Sequence, residues 1–452
     1  MAFVGIVILA IVLYVWGYKT SALFFMFFFI TQGFNLLPEE VTEFLFISKG
    51  MDYALLILVG IVLVDCVFVK GYLKPDDFTN YLILFGSFLL VCIIYSKFFV
   101  GLGWVEIIRT CRYQFFWIVY FIFRNMTKQQ LEMLLKCLYV VTTFCSVLFL
   151  LQIFFNENIL LKFGFTSAVT IMGIDIPRYY NQPDMINFFA VIAVFRNPFK
   201  GAPRWITTII LVAALLGAFH RNLTGFFILA LFVGFVLKLP RVKQIAIVST
   251  VSILICFVVV FAGYKFVHTR TYVDLKTVAS GNIGDVDIDL ADLSKSTFTF
   301  RIAHLLERNQ YLLEHPKAMF LGAGLIPEDS KKVESLFNFN IGLIEELTGQ
   351  TIQLDTADIS YSIMFIRLGY LGTFLNLLLF IYLMLFFYKK RENKYALSTF
   401  LFFVMSFGVS FFSWNLVLAV TYILPLICYH IVKKSNENEE EATIIKTENV
   451  HE

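Results

Sequence analysis

Thirteen predominantly apolar runs divide the chain, at about residues 3–17, 20–37, 50–69, 78–97, 104–123, 130–155, 184–196, 205–219, 222–238, 243–263, 357–388, 395–412 and 414–432. A helix needs about 20 apolar residues to cross a bilayer, and most of the runs approach that length. The run at 184–196 is short and the first two adjoin, so 12 or 13 transmembrane helices are predicted. The first run, in MAFVGIVILAIVLYVWGYK, has no basic leader and no small-residue cleavage site, and reads as a retained span. Lys70/Lys74, Arg124/Lys128, Lys200/Arg204, Lys238/Arg241/Lys243 and Lys389/Lys390/Arg391 fall in alternate breaks between runs. Basic residues mark the cytoplasmic side, so these breaks are expected there. The segment 156–183, the turn around His220 and Arg221, and the long segment 264–356 then share the outer face. The expected organisation is an N-terminal bundle (1–263), a large outer loop (264–356), C-terminal transmembrane helices (357–432) and a polar tail (433–452). The tail is expected to be disordered in the cytoplasm.

Composition agrees with this pattern. The chain is 59% hydrophobic and 15% charged, whereas soluble domains carry about 25% charged residues. The expected class is an all-α polytopic membrane protein. A net charge of +3 gives no reason to expect a nucleic-acid partner. All seven cysteines lie in or beside apolar runs, with neither a disulfide framework nor zinc-site spacing. In DVDIDLAD, Leu290 stands where a calcium loop needs glycine and the closing Glu is missing. The sequence contains no P-loop, Rossmann fingerprint or HExxH motif. No metal and no cofactor is expected.

Candidate chemistry collects on the outer face. In GAFHRNLTGFF, His220 and Arg221 stand between two apolar runs, where a cation faces water, a partner or a substrate. Arg221 is either a fork for phosphate oxygens or a snorkelling side chain. Arg178, in IPRYYNQPD, is a second candidate phosphate contact, with Tyr179 and Tyr180 as sugar-stacking surface; the alternative is an interfacial aromatic belt. The stretch STFTFRIAHLLERNQYLLEHP predicts a helix capped at Ser296, Thr297 or Thr299 and ended by Pro316. Arg301, His304, Arg308 and His315 share one face of it, either an anion-binding surface or a stripe resting on acidic lipid. Asp355 and Asp358 can cap the helix that follows, or Asp358 can serve as a general base, with Tyr361 lining the same cavity. Glu106 is expected to pair with Arg109 and Arg112. Asp65 reads as boundary polarity.

The layout and four short motifs resemble the Wzy-type O-antigen polymerases and the related O-antigen ligases, membrane glycosyltransferases of the GT-C class. The layout is shared over nearly the whole chain. RYYNQPDMINFFAV resembles the family's Arg followed by the opening of a span, with Gln182-Pro183-Asp184 departing from the usual residues. FHRNLTGFF resembles its Ser-Arg-Gly turn, with Arg221 as the Arg and Asn222 in place of the small residue. FRIAHLLERNQYLLEHPKAMFLGAGL resembles its loop helix, with Arg301, Pro316, Gly322 and Gly324 matching. DISYSIMFIRLGYLGTF resembles the return segment, with Asp358, Tyr361, Gly369 and Gly372 matching. Ligases carry His where this chain has Asp358, which points to a polymerase.

The resemblance implies polymerisation of undecaprenyl-pyrophosphate-linked oligosaccharides at the periplasmic face of the bacterial inner membrane, as in lipopolysaccharide or capsule synthesis. Arg178, His220, Arg221 and Arg301 would bind pyrophosphate. Arg221 and Arg301 would assist catalysis, and Asp358, or His304 in its place, would take the acceptor proton. Tyr180, Arg308 and Tyr361 would line the substrate. A chain-length regulator is the expected protein partner. Two alternatives are a ligase that moves glycan onto lipid A core or protein, and a lipid-linked-oligosaccharide flippase. The charges cluster at one face beside a large loop, whereas transporters favour midplane charges and inverted repeats.

Overall fold

The computed structural model describes residues 2–43, 49–69, 75–162, 166–171, 174–266, 293–337, 339, 343–344, 351–354 and 359–451. The helices are α1 (Ala2–Val15), α2 (Lys19–Ile30), α3 (Gly50–Phe68), α4 (Asp77–Phe98), α5 (Trp104–Phe115), α6 (Val119–Arg124), α7 (Lys128–Phe155), α8 (Ile186–Arg196), α9 (Ala202–Gly217), α10 (Arg221–Leu237) and α11 (Arg241–Phe266). They continue as α12 (Leu293–Glu314), α13 (Pro316–Leu321), α14 (Lys332–Leu336), α15 (Ser360–Lys389), α16 (Lys394–Val409) and α17 (Val420–His451). Every apolar run contains a helix, the run at 104–123 α5 and α6 in succession. Among the described residues, four helices, α3, α4, α7 and α15, are each long and apolar enough to cross a bilayer. Their outward side chains are large and apolar: Phe154 is 80% exposed, and Val67 and Phe68 are each 76% exposed. Such patches favour lipid over water, and the chain is a helical membrane protein.

Two short antiparallel hairpins lie outside the helices. One pairs β1 (Thr166–Ile171) with β2 (Ile174–Tyr179), in register Ser167 with Arg178. The other pairs β3 (Leu343–Ile344) with β4 (Thr351–Ile352).

The polar breaks fall into two groups by their contacts. At one end, Lys19 Nζ donates to the Asn125 carbonyl (3.1 Å), Lys434 Nζ to the Arg124 carbonyl (3.1 Å), and Lys433 pairs with Asp76 (3.0 Å). At the other end, the Asn35 side chain donates to the Gln182 carbonyl (3.2 Å), and Gln152 donates to Asn181 (2.7 Å). This second, loop end also holds residues 322–337. Its residues join the same core as the helices: Leu325, Ile326, Val333 and Phe337 are buried with the transmembrane side chains. Residues 325–337 of the large loop are therefore packed into the bundle.

That packing has a specific anchor. Gly369 breaks α15 from inside, with φ +66° and ψ −174°. The break releases the Ile366 carbonyl, which accepts from the Ala323 amide at 2.7 Å. The chain at Gly322 lies directly on the break. A Cβ on Gly369 would sit 2.7 Å from the Gly322 nitrogen and the Met319 oxygen. Farther along, Leu325 N donates to Ser96 Oγ (2.9 Å), and Lys332 Nζ reaches the Val100 and Gly101 carbonyls.

Several expectations change. Glu106 does not pair with Arg109 or Arg112. It accepts from Gly103 N and from Ser330 Oγ (both 2.7 Å), while Arg109 pairs with Asp329 (2.8 Å) and Arg112 with Asp52 (3.1 Å). The acidic partners come from segments far away in sequence. The tail expected to be disordered instead continues α17 to His451. Its Glu, Lys and Ala content suits a helix as well as it suits water. α12 begins at Leu293, before the expected caps, and Asp65 accepts from Tyr14 Oη in the bundle interior (2.7 Å) rather than facing the boundary. The last two apolar runs do not adjoin: residues 410–419 form an irregular turn. Its residues FFSWNLVLA are too apolar for hydropathy to mark the break. The DVDIDLAD segment, Asp355 and Asp358 lie outside the described residues.

Candidate functional site

The loop end gathers two clusters around the start of α10. The first is set by β2 and by the turn before α10. Phe219 takes φ +51°, a left-handed conformation unusual for a bulky residue, and this turns His220 toward the hairpin. Arg178 Nη2 lies 2.7 Å from His220 Nδ1. The guanidinium stacks 4.6 Å above the Tyr180 ring, and that ring meets the His220 ring edge-on at 5.8 Å. Arg178 therefore uses one nitrogen and one face, while its Nε is buried with no acceptor among the described residues. A buried donor left unmatched costs about 1–3 kcal/mol. Arg308 Nε is buried without an acceptor in the same way.

His220 is neutral at physiological pH. Burial, then the Arg178 guanidinium, lowers its pKa from 6.5 to about 4. The neutral ring accepts from Arg178 at Nδ1 without opposing charge. Arg221 follows at the first position of α10, exposed to solvent, with the Thr224 amide donating to the His220 carbonyl behind it (2.9 Å).

A pH dependence follows. Between 6.5 and about 4 an unfolded His220 binds a proton and the folded one does not. Stability from this site is intact above that window and falls as pH is lowered through it. The thermal midpoint of His220→Gln should therefore drop less than that of wild type between pH 7 and pH 5. Equal acid slopes would show that His220 is not held in this way.

The second cluster is built on α12, which packs along the first turns of α15. His304 is fully buried, with Nδ1 2.8 Å from Ser362 Oγ. Burial, with Arg308 adding repulsion, holds its imidazole well below the usual value. Arg301, one turn earlier, lies 5.5 Å over the Phe412 ring. Phe412 in turn packs on Phe226 at 6.2 Å. Phe226 lies five positions beyond Arg221, about 7.5 Å along the helix axis at 1.5 Å per residue. Through these rings Arg301 is linked to the second turn of α10.

The 410–419 turn is fixed to the same place. Ser360 donates from N (2.9 Å) and from Oγ (2.8 Å) to the Ser413 carbonyl, and the Leu416 amide donates to Ser360 Oγ (3.1 Å). Tyr361 stacks on Phe411 at 4.6 Å and donates to the Phe407 carbonyl (3.2 Å).

Arg178, Tyr180 and His220 thus form one group with Arg221 adjacent, while Arg301, His304 and Tyr361 form its neighbour. Arg308 is set apart. It is fully buried, pairs with Glu307 (2.6 Å), donates to the Gln353 carbonyl (2.7 Å) and covers the Phe339 ring at 4.1 Å. It holds the loop together. His315 is exposed and stacked on Tyr311 at 4.3 Å. The basic face of α12 therefore turns inward over most of its length rather than resting on lipid. Ser362, Ser360 and Phe412 were not expected. Serine and phenylalanine are so frequent at helix ends and in apolar runs that neither marks a site by sequence. No protein-family model and no curated protein matches the chain.

Proposed function

We propose that the chain is a membrane glycosyltransferase that polymerises lipid-linked glycan repeat units at the periplasmic face of the bacterial inner membrane, as Wzy-type O-antigen polymerases do. In this reading the 12 or 13 apolar helices form a GT-C-like bundle and the loop end faces the periplasm. The carrying observation is Arg178 held between His220 and the Tyr180 ring just before α10, with Arg221 next in the chain and Arg301 in the neighbouring cluster. Arginine forks suit phosphate oxygens.

The donor is a growing glycan on undecaprenyl pyrophosphate. An acceptor sugar hydroxyl attacks the anomeric carbon, the bond from that carbon to the pyrophosphate oxygen breaks, and the lipid pyrophosphate leaves. Arginines placed against the leaving group stabilise its growing charge, a large term in such reactions. The hydroxyl proton passes to a base. Asp358 is the proposed base. His304 is less suited, because its imidazole is fully buried and engaged with Ser362. In this scheme His304 orients the first turn of α15, four residues after Asp358, and Arg308 keeps the loop folded. The leaving group already carries the activating pyrophosphate, so neither a nucleotide nor a metal is required. A chain-length regulator is the protein partner of this reading.

The test is reconstitution in nanodiscs with undecaprenyl-pyrophosphate repeat units from the same glycan cluster, products resolved on a gel. A ladder of lengths is expected, abolished in Arg301→Ala and Asp358→Asn. A single transfer onto lipid A core or protein, with no ladder, would replace polymerase by ligase. Movement of the lipid across vesicles without transfer would replace it by flippase.

A further inference from the structure

We propose that a cleft on the other side of the 410–419 turn is a sugar subsite, holding one pyranose ring of the acceptor glycan. The inference rests on the glycosyltransferase reading and adds the place where the second substrate is held. The cleft encloses about 70 Å³, several times the roughly 10–15 Å³ that one water requires. Trp414 and Tyr113 supply aromatic surface, and Leu418 and Ile30 supply apolar wall. Lys49, Lys162 and Asp184 supply the charge.

The mixture selects among ligands. A prenyl tail would leave three charged side chains facing hydrocarbon, which is costly. A pyrophosphate would meet the Asp184 carboxylate. That carboxylate is paired with Lys162 at 2.5 Å, both side chains four-fifths buried or more, so the cation nearest it is already neutralised and the carboxylate opposes an anion. A sugar ring has a C–H face that suits an aromatic wall and a rim of hydroxyls. The carboxylate accepts from hydroxyls and the ammonium groups donate to them, and hydrogen bonds to charged groups are worth about 1.5–3 kcal/mol each. Gln32 does not face the ligand in this way. Its amide donates to Thr42 Oγ1 (2.9 Å) and accepts from Gly50 N (3.2 Å), which fixes the wall.

The position fits an acceptor. Trp414 is two residues from Phe412, the ring that carries Arg301. Two residues span at most about 7 Å of chain. Ser360 ties the Ser413 carbonyl between them to the first residue of α15. One rigid turn therefore presents Phe412 to the arginines and Trp414 to the cleft. A sugar seated on Trp414 places its neighbour in the chain beside the proposed pyrophosphate.

Two measurements test this. The first uses, as acceptor only, an alkyl glycoside of the repeat unit, which lacks a pyrophosphate leaving group and cannot act as donor. Trp414→Ala should raise the KM for this acceptor about tenfold, with a smaller change in kcat, and Trp414→Phe should recover most of the loss. The second measures binding of the free repeat-unit oligosaccharide, released by mild acid from the host glycan, to protein in nanodiscs. Trp414→Ala should weaken it by a similar factor, and inorganic pyrophosphate should not compete. Binding that depends on Trp414 in a protein that makes no ladder would retain the subsite and sink the polymerase reading. A ladder from Trp414→Ala with unchanged acceptor KM and unchanged oligosaccharide binding would retain the polymerase and sink the subsite. Competition by pyrophosphate would overturn it in favour of an anion site.

Discussion

Gly369→Ala should be among the most destabilising single substitutions in the chain, costing at least about 4 kcal/mol, a size reserved for backbone conflicts and severe core defects. Two penalties act together. The residue has φ +66° and ψ −174°, a region essentially reserved for glycine that costs an L side chain roughly 1–3 kcal/mol. The new Cβ would also meet the Gly322 nitrogen and the Met319 oxygen at 2.7 Å and the Phe320 carbonyl carbon at 2.7 Å. All three are backbone atoms, so no rotamer change relieves the clash. The relief available is withdrawal of the 316–326 segment from α15, which also breaks the bond from the Ala323 amide to the Ile366 carbonyl. The expected result is a thermal midpoint in detergent many degrees below wild type, with new protease cleavage between residues 316 and 330. Gly322→Ala should give the same pattern, because its Cβ would lie 2.4 Å from the Arg367 carbonyl. Gly86→Ala is the control. It lies in helix α4 with nothing within 4 Å of its Cβ, so alanine there should be neutral or stabilising by up to about 1 kcal/mol. If Gly369→Ala melts within a few degrees of Gly86→Ala, the loop is not docked on the break in α15 as described.

The same pair of glycines shows what could be read in advance. Hydropathy located the helices because a bilayer-crossing segment must satisfy its own backbone and expose apolar side chains over a fixed length. That requirement is local, so it is written locally, and α3, α4, α7 and α15 follow it. It does not say where a helix breaks within an apolar run. α2 stops at Ile30 because Gln32, Phe34 and Asn35 take positive φ, and α15 breaks at Gly369, all within stretches that hydropathy reads as continuous. Nor does it give pairing between distant segments. Arg112 with Asp52 and Arg109 with Asp329 are tertiary contacts that no spacing encodes. Of the candidate site, the charged members were legible because a cation at a membrane boundary is conspicuous. Whether each served a ligand or the fold was not. Arg178 and Arg308 look alike in sequence, and each keeps a buried Nε without an acceptor among the described residues, yet Arg308 pairs with the Glu307 carboxylate and donates to the Gln353 carbonyl, while Arg178 meets a neutral imidazole and a tyrosine ring. The difference lies in what the rest of the chain brings to each.

Those different partners make Arg178→Ala a prediction with a large expected effect on activity. Loss of one preorganised donor to a developing negative charge costs about 10²–10³ in kcat. Arg178 is preorganised on two sides, by His220 at 2.7 Å and by the Tyr180 ring at 4.6 Å. Its Nε is buried without an acceptor among the described residues. The fold should tolerate the loss, since the residue lies at the end of a two-stranded hairpin and forms no ion pair among the described residues. Arg178→Lys discriminates between charge and geometry. An ammonium retains the charge but cannot donate to His220, stack on Tyr180 and still present a further N–H, so the lysine variant should keep a tenth of wild-type activity or less. Arg308→Lys, by contrast, should show its defect in thermal stability, with the residual folded fraction turning over at close to the normal rate. Full activity in Arg178→Lys would mean that simple charge suffices and that the Nε direction carries no substrate oxygen. Full activity in Arg178→Ala would remove the hairpin from the mechanism and leave Arg221 and Arg301 alone to hold the leaving pyrophosphate.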